Sequence, residues 1–129
     1  MNEAQFLKDR IKLWRNWFVH ELAGWLKWST FNAIVVRLVD GNKISGVAIG
    51  RRIEAEHYRH LRLCHQPTGK ILWVDALACE KKSGMRQMLE SVLAKNKGIS
   101  QIGFSRQNKK GNFKVYDIEK FMRRIQYAG

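Results

Sequence analysis

From Ile71 to Cys79 the chain is apolar except for Asp75, the pattern of a sheet strand covered on both faces. It then meets Glu80-Lys81-Lys82-Ser83-Gly84, where Ser83 suits a helix cap and Gly84 allows close approach of a ligand to the backbone. Met85, Met88, Leu89, Val92 and Leu93 follow at helical spacing, and Gly98 supplies a stop. Ile99 opens a further short strand that runs to Arg106. Residues 70–106 therefore predict strand, helix, strand, with the helix starting between Ser83 and Arg86. A helix start of this kind offers free N–H groups and a positive dipole end, here beside Lys81, Lys82 and Arg86, which suits a pyrophosphate.

The flanking segments decide what packs on that unit. Leu7, Ile11, Trp14, Phe18, Leu22 and Trp25 step by three and four, so they predict a helical stripe over residues 3–27, widened by Leu13 and Trp17. Gly24 near its end is a point at which the helix could bend or split. Residues 33–53 read as a hairpin turning at Asp40-Gly41-Asn42. Residues 54–64 read as a helical or irregular connection, and Gln66-Pro67-Thr68-Gly69 as a turn into the central strand. After the loop-like Gln107-Asn108-Lys109-Lys110-Gly111-Asn112, residues 113–116 fit a strand or the entry to a helix. Asp117 fits the start of a last helix, with Ile118, Phe121, Met122 and Ile125 on its inner face. The expected class is α/β (α+β), with a mixed, mainly antiparallel sheet. A single domain over 1–129 is expected, built from an N-terminal helical segment (1–28), the hairpin (33–53), the core (70–106) and a C-terminal segment (113–126).

Charge narrows the partners. With 24 basic and 11 acidic side chains the net charge is +13, and a domain so basic attracts polyanions. The bases are spread along the chain, so folding decides whether they cluster; a solvated surface is the plain alternative. No apolar run approaches the ~20 residues that span a bilayer. Cys64 and Cys79 lie in unlike contexts, which favours two free thiols in a reducing compartment, and a cytoplasmic location is expected.

The element order, with N-terminal helices, a hairpin and a central strand running through a basic turn into a helix, resembles the GCN5-related N-acetyltransferase (GNAT) family. At the motif level the resemblance rests on residues 71–97. That family carries Arg/Gln-x-x-Gly-x-Gly/Ala in the loop, and Lys81-Lys82-Ser83-Gly84-Met85-Arg86 supplies one of its glycines. The resemblance implies acetyl-CoA or another acyl-CoA as cofactor, with pyrophosphate on Ser83, Gly84, Met85 and Arg86 beside Lys81 and Lys82. It also implies pantetheine along Ala76, Leu77, Ala78 and Cys79, and Tyr116 as general acid. More narrowly, Asp40-Gly41 and Trp73-Val74-Asp75-Ala76-Leu77-Ala78 look like segments of the toxin-activating lysine acyltransferases, which are GNAT relatives. The proline and aspartate that follow in that group are Cys79 and Lys82 here, and His20 loosely matches its N-terminal histidine.

Each candidate residue has a plainer reading beside it. Asp75 is a general base if it faces a cleft, and a solvated or arginine-paired carboxylate if it does not. Cys79 is a nucleophile if Lys81 and Lys82 depress its pKa, and otherwise a small buried residue. His57, His60 and Cys64 share one face if helical, but with no second ligand cluster in the chain no metal site is expected. Trp14, Trp17, Trp25 and Trp28 fit a core layer over the sheet better than a membrane or base-stacking surface. The rival to acyl transfer is a non-enzymatic basic protein, using Arg106, Lys109 and Lys110 on nucleic acid or on an acidic protein, of a kind that suits a phage or mobile element.

Overall fold

The computed structural model describes residues 3–11, 18–54, 65–105 and 113–128. In chain order these form α1 (Glu3–Arg10), α2 (Val19–Asn32), β1 (Ile34–Asp40), β2 (Lys43–Ile53) and β3 (Ile71–Cys79), then α3 (Lys82–Lys95), β4 (Gln101–Ser105), β5 (Phe113–Asp117) and α4 (Ile118–Ala128). The five strands lie side by side in sequence order. All neighbours are antiparallel except β3 and β4, whose parallel pairing is the one that a helical crossover, α3, makes possible. The class is mixed α/β with a mainly antiparallel sheet, as the patterning predicts.

Each face of the sheet has its own core. Leu7 and Ile11 with Leu22 and Leu26 of α2 pack on Val47, Ile49, Ala76 and Ala78, whereas Leu89 and Val92 of α3 and Ile118 of α4 pack on Leu72 and Ile102. Gly41, at φ +63°, makes the two-residue hairpin turn possible, with Asp40 paired to Lys43 across it. Asp117 caps α4, its carboxylate accepting from the Lys120 N–H at 3.2 Å, and Phe121, Met122 and Ile125 face the core as their spacing predicts. The segment from Phe113 is strand.

The N-terminal helix departs from expectation. It is not one rod over 3–27 but two helices, with Ile11 and Phe18 both outside helical structure and α2 continuing to Asn32. Gly24 sits inside α2, which runs unbroken from Val19 to Asn32, so the split does not fall there. Phe18 is extended (φ −71°, ψ 143°) and 65% exposed, standing at the N-cap of α2 rather than on the helical stripe. Trp25 is half-buried against the core, but Trp28 is 53% exposed, correcting the expectation that this tryptophan covers the sheet. Its position, three beyond Trp25, falls on the outer side of α2. Leu13, Trp14 and Trp17 lie outside the described residues, as do residues 55–64 with His57, His60 and Cys64.

Helix α3 begins at Lys82, one residue before the expected range, with Lys81 at the cap position and no side-chain cap bond. The first turn closes through the Gly84 N–H donating to the Lys81 carbonyl at 2.9 Å, which leaves Ser83 exposed inside the helix and not at its cap. At the other end the Asn96 amide donates to the Val92 carbonyl at 2.9 Å, and Gly98, at φ +94°, turns the chain toward β4.

Candidate functional site

The site arises where β3 changes partners. Against β4 it pairs only at Ile71, Leu72 and Trp73, opposite Gln101, Ile102 and Gly103. Beyond that point β4 continues against β5 to Ser105 while β3 continues against β2 to Cys79, so the two parallel strands part. At the same place the β2–β3 register slips: Gly50 faces Val74 and Ile49 faces Ala76, leaving Asp75 opposite no residue. That is a β-bulge, which bends a strand and raises its twist. It also exchanges the faces of the strand. Leu72 and Val74 pack on the α3–α4 side, whereas Ala76 and Ala78 pack on the α1–α2 side.

The gap between the strands is filled by a cavity of about 500 Å³, within the size range of small-molecule sites. Its walls come from Val74, Asp75, Ala76 and Leu77 of β3, from Met85, Met88, Leu89 and Val92 of α3, from Phe104 of β4, and from Phe121, Arg124 and Ile125 of α4. Ile11 and Ile49 also reach it, so the opening extends through the sheet to the α1–α2 side. Only Asp75 and Arg124 among the lining residues carry charge.

Asp75 is half-buried and lies 3.4 Å from the Arg51 guanidinium at both of its oxygens. Desolvation pushes its carboxyl above the ordinary range, and the Arg51 charge and hydrogen bond only partly oppose the rise. Both anticipated environments hold together: the carboxylate faces a cleft and it pairs with an arginine. Burial pushes the Cys79 thiol up as well, against a smaller opposing effect from the Met85 N–H that it accepts. Burial therefore acts against the depressed pKa that a nucleophilic thiol needs, and Cys79 sits half-buried at the end of β3.

At the start of α3 two of the amides counted on for an anion are engaged. The Gly84 N–H goes to the Lys81 carbonyl and the Met85 N–H to the Cys79 sulfur. A Cβ at Gly84 would stand 3.0 Å from Leu38 Cδ1 and 3.3 Å from Cys79 Cβ, so this glycine lets α3 pack closely on β1 and β3. Lys81 and Ser83 are exposed, and Arg86 is ion-paired with Glu90 at 2.9 Å. Tyr116 is absent from the cavity wall. Its ring stacks on Phe104 at 5.6 Å and packs against Phe121 at 6.0 Å, both of which do line it. Arg106, Lys109 and Lys110 lie outside the described residues, and among the described residues no cluster of metal ligands occurs.

Arg51, Arg124 and the bulge escape the sequence reading. Gly50 carried a signal for the last of these, since an isolated glycine in a strand pattern often marks a bulge; a Cβ there would meet the Trp73 carbonyl oxygen at 2.9 Å. No family model, no curated protein and no solved structure matches the chain.

Proposed function

We propose that the chain binds an acyl thioester of coenzyme A in this cleft and transfers the acyl group to an amine, on a GNAT-like arrangement of strands. The observation that carries this reading is the parting of β3 from β4 at Trp73, which leaves residues 74–79 without a strand partner on that side among the described residues. A strand edge with no neighbouring strand among the described residues suits the amides of a pantetheine arm. The apolar cavity suits the acyl chain, and Lys81, Lys82, Ser83 and Arg86 stand at the end of the edge where the phosphates would emerge. In the reaction the amine nitrogen bonds to the thioester carbon, the C–S bond breaks, and the sulfur leaves with its electron pair. Asp75 takes the proton from the attacking amine, a role helped by its raised pKa. Water in the cleft returns a proton to the thiolate, since Tyr116 does not reach the cavity wall.

A ligand that binds only the folded state raises its melting temperature by mass action, so decanoyl-CoA or acetyl-CoA should do so. Leu77→Trp, which fills the cleft from its wall, should remove the shift. Calorimetry with millimolar CoA thioesters and no heat, on folded protein, would defeat the proposal.

The engaged amides of Gly84 and Met85 favour a second reading, a non-enzymatic basic protein that binds nucleic acid or an acidic protein through its +13 charge. Replacing Lys109 and Lys110 with alanine should then flatten the salt dependence of nucleic-acid binding by up to about two units of slope, since each phosphate contact contributes nearly one. A gel-shift titration over salt that shows no binding at low salt removes nucleic acid from this reading.

A further inference from the structure

We infer that the cleft is a binding site for a single-chain anionic amphiphile of the fatty-acid class, its alkyl chain in the cavity and its carboxylate on Arg124. The inference rests on the cleft being a ligand site and not on acyl transfer. The walls are apolar apart from two charged residues, and of these Asp75 already has Arg51 beside it. Arg124 differs. It is exposed, it lines the cavity from α4, and among the described residues no carboxylate pairs with it.

The Arg124 guanidinium sits over the Tyr116 ring, its Cζ 5.7 Å from the centroid. A cation–π contact leaves the guanidinium N–H donors unspent, and a carboxylate can take two of them at once. Lys120, one turn earlier on α4 and also exposed, adds positive charge on the same side of the helix. The neighbouring arginines are committed elsewhere: Arg123 to the Glu119 carbonyl at 3.4 Å and Arg86 to Glu90. An apolar chamber with an arginine at its edge that no carboxylate among the described residues engages complements a ligand with one long apolar chain and one anionic end. A fatty acid is also what hydrolysis of an acyl thioester releases, as water adds to the carbonyl carbon and the thiol departs.

Calorimetric titration with decanoate and with decanol, below the onset of micelles, separates the chain from the charge. Wild-type protein should bind decanoate, Arg124→Gln should bind it about tenfold more weakly, and decanol should bind both proteins alike. Arg124→Lys, which keeps the charge but loses the fork, should fall between them. Melting temperatures of the two variants should match wild type, because the side chain is exposed. Equal decanoate affinity in wild type and Arg124→Gln overturns the inference, and so does absence of decanoate binding to wild type. Decanoyl-CoA read in the same titration keeps the two proposals apart. Arg124-dependent decanoate binding with no thioester binding removes acyl transfer alone, whereas thioester binding with no decanoate binding removes this inference alone.

Discussion

The two halves of β3 obey different rules. Before Asp75 the strand is closed on both sides: Ile71, Leu72 and Trp73 are almost fully buried, paired to β2 on one edge and to β4 on the other. Buried Arg52 ties that half together, donating to the Gly69 carbonyl at 2.7 Å and to the Lys97 carbonyl at 2.8 Å, while its own N–H reaches His65 Nδ1 at 2.9 Å. After Asp75 the strand keeps β2 and loses β4, its residues swap faces, and half-buried Asp75, Leu77 and Cys79 appear along it. One unmatched residue separates a segment built for stability from a segment that borders a cleft.

The largest expected effect contrasts Trp73 with Leu77. Trp73→Ala should cost about 3–5 kcal/mol in denaturant unfolding, because it empties a fully buried site, whereas Leu77→Ala on the half-buried cavity wall should cost only about 1 kcal/mol. Similar losses at the two positions would erase the distinction between the halves. Next comes Gly69→Ala, where the new Cβ would meet the Ile53 backbone at 2.7 Å; a loss of about 1–3 kcal/mol should appear as a lower urea midpoint at unchanged slope.

The closed half should also show a modest pH dependence through His65. Its Nδ1 accepts the Arg52 N–H, so it must be neutral there, and burial followed by the Arg52 charge lowers its pKa from 6.5. The unfolded chain then binds the proton more readily, so the stability that His65 contributes is present above pH 6.5 and is lost as pH falls toward its folded-state pKa. Melting temperatures of wild type and His65→Ala should converge over that window, and parallel curves would show that the hydrogen bond is immaterial. The sharpest effect on the open half belongs to Arg51→Met. Arg51 opposes the rise in the Asp75 pKa, so its loss should move the ascending limb of any transfer rate to higher pH. Asp75→Asn should remove that limb altogether, and a limb that survives it belongs to another group.

Much of the framework was legible from local pattern. The apolar run of β3, the Gly41 hairpin, the Asp117 cap and the inner face of α4 each depend on residues a few positions apart, and each stands where spacing placed it. Helix ends were less legible. Ser83 has the chemistry of a cap, yet α3 starts before it because the packing of Gly84 on Leu38 and Cys79 sets where the helix can lie.

What the chain determined by itself is therefore the order and type of its elements, since periodicity and turn chemistry act over neighbouring residues. What only the tertiary structure decided is the bulge at Asp75, the parting of β3 from β4, the Arg51 ion pair and the arrival of Arg124 at the cavity edge. Arg51 stands 24 positions from Asp75 along the chain. Strand register and helix docking join residues that far apart through packing and through the pairing of buried polar groups, and neither leaves a local trace in the sequence.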